Sequence, residues 1–268
     1  MKKILIFGLP GAGKTSLATR LVAHLNNADH YNADEIRKKH DDWDFSPEGR
    51  TRQAVRMKNY AQYSVTQNRY AVCDFVCPTD ELRQEFNADI IIFMDTIAVS
   101  RYDDTNAVFQ RPINPDYTIT FDQWWNDDWT EHWAKLLAVE IKDSEFDTQH
   151  PTTQMLGRFQ PFHPGHRALF ERALAKHGQV AILIRDMPIA DNNPWNQSDI
   201  ELNIKKELVE YAGKFRIYKV PNIVNITYGR DVGYKIEQEV FDESIHAISA
   251  TDIRKKMREE GKLGKESS

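Results

Sequence analysis

The stretch GLPGAGKT, residues 8–15, limits what this chain can fold into more than any other. It fits G-x-x-x-x-G-K-[ST] at Gly8, Gly13, Lys14 and Thr15. It follows the apolar run Ile4–Phe7 and opens a helix-forming stretch of about Thr15–Asn26. A strand that turns through glycines into a helix aims several backbone N–H groups at one point, where the helix N-terminus adds partial positive charge. In that context the pattern predicts a loop that cradles the phosphates of ATP. Gly8, Gly11 and Gly13 supply the turns, Lys14 reaches the β- and γ-phosphates, Thr15 holds Mg2+, and Ser16 adds a hydroxyl at the helix start.

The alternation of apolar runs and helical stretches continues along the chain. Strands are expected near His30–Asn32 and at Tyr70–Phe75, Asp89–Met94 and Tyr117–Phe121, with a helix over Pro47–Gln67. After the polar stretch Ile141–Gln154 the rhythm resumes. A strand ends at Met155 and Leu156, then come a helix over Pro164–Lys176, a strand over Val180–Arg185, a helix over Asp199–Tyr211 and a strand over Phe215–Val220. ISATDIRKKM, residues 248–257, reads as a strand end turning into a helix. The fold class is α/β with a parallel sheet in each half. The 268 residues suffice for two domains of about 100–150 residues each, divided as 1–145 and 154–262 with a linker at 146–153.

Composition removes several classes of function. Net charge is −5, so no basic face draws nucleic acid by bulk electrostatics. No apolar run approaches the ~20 residues of a membrane helix. The N-terminal apolar run is short and ends in a glycine loop, which fits a buried strand and not a leader. The two cysteines, Cys73 and Cys77, have no matched partners for zinc and read as reduced thiols of a cytoplasmic protein. The partners expected are small phosphate or nucleotide acceptors, and a homo-oligomer is compatible with all of this.

Two constellations carry chemistry beyond the first loop. In YNADEIRKKHDDWDFSPEGR, residues 31–50, Asp34 is placed to accept a hydroxyl proton or organise the metal, and Arg37 and Arg50 to bind an anionic acceptor. In GRFQPFHPGH, residues 157–166, His163 and His166 stand at the start of a helix. There two imidazoles donate to a triphosphate and stabilise charge on the α-phosphate and on leaving pyrophosphate. Gly165 lets the backbone approach the phosphates. Arg158 is read as a further phosphate contact, with Gly157 and Phe159 lining the turn. Further on, Ser249 and Thr251 mark a helix start, and Arg254 lies one turn later to reach the β- and γ-phosphates. Arg230 and Asp231 are candidate nucleotide contacts, and Asn193, Pro194 and Trp195 form a candidate specificity loop. Trp124, Trp125, Trp129 and Trp133 have helical spacing and read as packing.

The first half resembles adenylylsulfate kinases over roughly residues 1–110. The resemblance rests on the phosphate loop, on Asp34–Arg37, on DFSPEGR at Asp44–Arg50 and on DFVCP at Asp74–Pro78. It implies a P-loop kinase fold, with Asp34 as base or metal organiser, Phe45 stacking on the acceptor base and Arg50 holding its phosphate. The second half resembles the HxGH nucleotidyltransferases, which implies a Rossmann-like domain using ATP or CTP. GRFQPFHPGH is similar to nicotinamide-mononucleotide adenylyltransferases. VPNIVNITYGRDVGY and HAISATDIR are similar to a cytidylyltransferase-like branch, which includes the phosphoglutamine cytidylyltransferase of capsular phosphoramidate synthesis.

The expectation is a bifunctional enzyme. An ATP-dependent kinase acts on a hydroxyl of a small nucleotide-type acceptor, and a nucleotidyltransferase joins ATP or CTP to a phosphorylated small molecule with release of pyrophosphate. Three alternatives stay open: NAD salvage by a ribosylnicotinamide-type kinase fused to an adenylyltransferase, sulfate activation, and a nucleotide-sensing protein with an inactive kinase half. The last rests on Gln53 and Val55, which stand where the kinase family has asparagine and arginine.

Overall fold

A computed structural model describes residues 1–121, 127–227, 229, 233, 235–241, 243–246 and 248–263. The chain divides into two compact units, Met1–Ala138 and Val139–Ser268.

In the first unit β1 (Lys3–Phe7), α1 (Lys14–Leu25), β2 (Ala28–Asn32), α2 (Ala33–Lys39), α3 (Pro47–Thr66), β3 (Tyr70–Phe75), α4 (Asp80–Phe86), β4 (Ile90–Asp95), α5 (Asp103–Val108) and β5 (Tyr117–Thr120) alternate along the chain. The helix α6 (Asp127–Lys142) crosses the division. All five strands are parallel, in the order β2-β3-β1-β4-β5. Parallel strands covered on both faces need continuous apolar runs, and KILIF and YAVCDF are buried at every position. Leu5 and Phe7 face Ala54, Met57 and Ala61 of α3 and Leu82 and Phe86 of α4. Ile4 and Ile6 alternate to the other face. Helix starts coincide with capping residues. Asn32 caps α2, Ser46 caps α3 with Pro47 in its first turn, and Thr79 caps α4. The short helices α2, α4 and α5 carry no clear period in the sequence and escaped it. Trp129 and Trp133 flank His132 on α6, with ring centroids 5.2 and 6.0 Å from it. Trp124 and Trp125 lie outside the described residues.

In the second unit β6 (Thr153–Gly157), α7 (Pro164–His177), β7 (Val180–Arg185), α8 (Gln197–Glu207) and β8 (Phe215–Val220) build a parallel sheet in the order β6-β7-β8. Two helices follow, α9 (Glu243–His246) and α10 (Ala250–Glu259). Pro164 sits in the first turn of α7, and Gly178 ends it with φ 77°. The helix expected over Asp199–Tyr211 is split: α8 stops at Glu207, and Val209–Tyr211 is a 3-10 turn. The strand end expected at Ile248 is absent. Ile248 and Ser249 lead straight into α10, because Ser249 Oγ accepts the Asp252 N–H and so caps that helix. Residues ahead of β6 are stitched to the unit by Gln179, whose Nε2 donates to Asp147 O, His150 O and Thr152 Oγ1 at 2.6, 3.2 and 2.6 Å. Among the described residues no helix is long and apolar enough to cross a membrane.

Candidate functional sites, one at the edge of each sheet

In each unit a loop that leaves the carboxyl end of a parallel strand carries a motif singled out above, the glycine loop after β1 and the histidine turn after β6. In open α/β sheets this edge is where ligands bind. In the first unit, Gly8 leaves β1 with φ 149°, and a Cβ there would lie 2.5 Å from the Met94 carbonyl oxygen. Only glycine fits. Gly11 and Gly13 take φ 92° and 86°. Gly13 precedes α1 without a side-chain cap, so the first N–H groups of the helix remain open to a phosphate.

Lys14 is buried, and its Nζ donates to Leu9 O of its own loop at 2.9 Å. Burial pulls its pKa down to about 8, opposed by the charges of Asp74 and then Asp34. Thr15 Oγ1 donates to Asp74 Oδ2 at 2.6 Å. Asn32 Nδ2 donates to the same oxygen at 2.9 Å, and His30 Nε2 lies 2.6 Å from Asp74 Oδ1. Strand register makes this cluster, since Asp74 pairs with Asn32 on one side and Ile6 on the other. Asp74, His30 and Asn32 were missed as site residues in the sequence. For Asp74 the signal was there: an acid near the end of the apolar run YAVCDF, on a strand running parallel to the one that feeds the loop.

The short strand near His30–Asn32, which in the sequence reads as ending at Asp34, ends at Asn32 because Asn32 caps α2, and Asp34 lies exposed in the first turn of that helix, its N–H bonded to Asn32 Oδ1 at 3.0 Å. Ser16 is exposed in the first turn of α1.

On the acceptor side Phe45 is half exposed, with the Arg37 guanidinium 4.6 Å from its ring centre. Arg37 is buried and donates through Nη1 to Asp42 O and Asp44 O, both at 3.0 Å. Arg50 Nε donates to Phe45 O at 2.8 Å, and its Nη2 pairs with Asp104 of α5 at 3.1 Å. Both arginines therefore shape the loop that presents Phe45. Gln53 is buried and ties α3 to Ala33 O.

In the second unit His163 is the N-cap of α7, and its Nδ1 accepts the Gly165 N–H at 3.2 Å. Its ring stacks on His166, with centroids 3.7 Å apart and planes 29° apart. Phe159 and Phe162 enclose His166 at 5.1 and 5.6 Å. Burial, and then the neighbouring His163, lower its pKa to about 4, against an opposing backbone contact from Pro161. Burial lowers that of His163 as well. Both imidazoles are thus held neutral near pH 7. His166 Nδ1 is buried without a partner among the described residues. Gly165 has a local reason for lacking a side chain, because a Cβ there would sit 3.1 Å from the His163 ring. Gly157 likewise makes room for Phe159, whose ring would meet a Cβ at 2.7 Å.

Arg254 of α10 is buried beside this turn. Its Nη1 donates to Gln160 O at 2.7 Å and its Nη2 to Thr251 Oγ1 at 3.2 Å. So the histidines, Thr251 and Arg254 come together, although most of the second unit separates them in sequence. Arg158 is exposed at the turn. Arg230 and Asp231 lie outside the described residues.

Comparison with known proteins finds a different family model in each half of the chain. The adenylylsulphate kinase family model matches residues 2–111, and the cytidylyltransferase-like family model matches residues 155–200. A nicotinamide-nucleotide adenylyltransferase of Sulfurisphaera tokodaii is 28% identical over 134 residues, covering 38% of this chain and 77% of its own. Among solved structures, the Mycobacterium tuberculosis APS kinase CysC in complex with AMPPNP and APS has a TM-score of 0.45 at 20% identity, over 52% of this chain and 97% of that one. An unliganded sugar kinase from Janibacter sp. HTCC2649 has a TM-score of 0.43 at 12% identity, over 53% of this chain and 95% of that one. The chain carries an adenylylsulphate-kinase-like domain followed by a cytidylyltransferase-like domain, and is an enzyme that transfers phosphorus-containing groups.

Proposed function

We propose that the kinase domain, within residues 1–145, transfers the γ-phosphoryl group of ATP to a hydroxyl of a small nucleotide-type acceptor. The transferase domain, within 154–262, joins ATP or CTP to a phosphorylated small molecule and releases pyrophosphate. The observation that carries this reading is the pair of phosphate-ready loops at equivalent sheet edges, each with a cation close by: Lys14 in one, Arg254 in the other. A cytoplasmic location suits both substrates.

In the kinase domain Lys14 would exchange Leu9 O for the β- and γ-phosphate oxygens, since a buried cation favours a formal negative charge over a carbonyl. The hydroxyl of Thr15 and the carboxylate of Asp74 are hard oxygen donors 2.6 Å apart and fit Mg2+, with Asp34 near enough to influence Lys14. Bound there, Mg2+ would neutralise charge on the transferred phosphoryl group. Asp34, exposed beside the loop, is the base candidate for the acceptor hydroxyl, Phe45 the platform for its base and Arg50 the contact for its phosphate.

In the transferase domain no covalent nucleophile is needed. A phosphate oxygen of the second substrate attacks the α-phosphorus, the bond to the β-phosphate breaks, and pyrophosphate leaves. The stacked neutral imidazoles donate hydrogen bonds without bringing charge of their own, while Arg254 supplies the cation. A second reading, NAD salvage, is favoured at this site by the similarity to the adenylyltransferase of Sulfurisphaera tokodaii. Pyrophosphate release decides between them. ATP and CTP are each paired with nicotinamide mononucleotide, phosphoglutamine and simple sugar or amino-alcohol phosphates, with His166→Ala as the blank. Release with CTP and a non-nucleotide phosphate supports the cytidylyl reading. Release only with ATP and nicotinamide mononucleotide supports NAD salvage, and release with no pair sinks both.

A further inference from the structure

The histidine turn, the loop after β7 and α10 are fastened to one another around a single side chain, Gln160. Gln160 is 3% exposed. Its Nε2 donates to Trp195 O and its Oε1 accepts the Trp195 N–H, both at 3.0 Å. A primary amide that engages both backbone groups of one distant residue imitates a rung of a β-ladder and leaves that residue little freedom. The Gln160 backbone carbonyl in turn accepts Arg254 Nη1. One residue therefore touches the arginine read as the triphosphate ligand and, through its side chain, the loop 186–196.

That loop leaves the carboxyl end of β7, next to the strand that feeds the histidine turn, so it walls the same edge. It is well braced elsewhere. Arg258, one turn beyond Arg254 on α10, donates to Asp191 O at 2.6 Å. Asn193 Nδ2 donates to Pro188 O at 3.0 Å, and its backbone bridges to Ala190. Asn193 Oδ1 is buried without a partner among the described residues, an acceptor left open on this loop.

We infer that Gln160 is a positioning residue that couples triphosphate binding at Arg254 to the placement of Trp195 and its loop, where the second substrate enters. This rests on the reading of the second domain as a nucleotidyltransferase. A triphosphate draws Arg254 away from the Gln160 carbonyl, because a phosphate oxygen is the stronger acceptor. The Gln160 peptide then relaxes, and Trp195 follows through the two amide bonds. The loop thereby registers whether the nucleotide is in place.

Fluorine NMR of the full chain labelled with fluorotryptophan tests this. A Lys14→Ala background silences the first phosphate loop, and Trp195→Phe assigns the Trp195 resonance. Magnesium tripolyphosphate is the probe, with its affinity measured separately by calorimetry. The expected result is a shift of the Trp195 resonance at saturation, abolished in Gln160→Leu and in Gln160→Glu although tripolyphosphate still saturates the site, with no loss of affinity. Gln160→Glu preserves size and shape and carries the test should Gln160→Leu fail to fold. Binding without a Trp195 shift overturns the coupling and leaves the transferase reading intact. So does a shift that survives in the glutamate variant, or a Kd that weakens in step with the lost shift. Absence of any tripolyphosphate binding removes the triphosphate reading of this site, and the coupling with it.

Discussion

His166 shows how burial sets chemistry one residue at a time. Its pKa falls to about 4, mainly through burial, so the fold holds it neutral while the unfolded chain binds a proton below pH 6.5. Between those values the unfolded state carries more protons, and stability falls as pH drops from 6.5 toward 4. The loss is up to about 3 kcal/mol at 1.36 kcal/mol per pKa unit. Thermal melts of the wild type across that window should therefore slope more steeply than those of His166→Phe. Asp74 makes the complementary case in the first domain. Replacing it with asparagine removes the charged acceptor for Thr15 and for His30. Charged hydrogen bonds contribute about 1.5–3 kcal/mol each, so the kinase rate should fall roughly 10- to 100-fold. Asp34→Asn should act through the acceptor hydroxyl instead. A steady-state comparison of the magnesium dependence of the two variants separates them, with only Asp74→Asn shifting the magnesium requirement.

Among the elements, α10 and α5 make opposite predictions. The start of α10 depends on Ser249 Oγ, and the helix carries Thr251 and Arg254. Ser249→Ala should cost about 1 kcal/mol of stability by loss of the cap and raise the KM for the nucleoside triphosphate. The contact of α5 with the kinase site is the Asp104–Arg50 pair, largely exposed on the aspartate side. Such pairs contribute about 0–1 kcal/mol. Asp104→Asn should leave the melting temperature unchanged and lower the KM for an anionic acceptor, because Arg50 no longer has a competing carboxylate. An unchanged KM would remove Arg50 from the acceptor site.

At the scale of the whole molecule, each unit has its own sheet and its own candidate site at the carboxyl ends of its strands, so the proposed activities should separate by mutation. Lys14→Ala should abolish ATP-dependent phosphorylation and leave pyrophosphate release intact, and His166→Ala should do the reverse. The same independence explains what was legible in the sequence. The strands Tyr70–Phe75, Val180–Arg185 and Phe215–Val220 match their expected bounds residue for residue: the first is buried at every position and so must be a nearly unbroken apolar run, and the other two are runs rich in β-forming side chains closed by turn residues. Gly8, Gly13, Lys14 and Thr15 were readable because backbone conformation and a helix start are local requirements, met within one turn of chain. So was the pairing of His163 and His166, one helical turn apart. What the sequence could not determine is which distant groups meet. Asp74 reaches Thr15 only through the register of β1, β2 and β3, Arg254 reaches Gln160 only through the return of α10, and Arg50 meets Asp104 only once α3 and α5 have packed. Local conformation follows from short-range sterics and hydrogen bonding and is written in consecutive residues. These long-range contacts follow from strand order and helix packing, which the burial of the whole core decides.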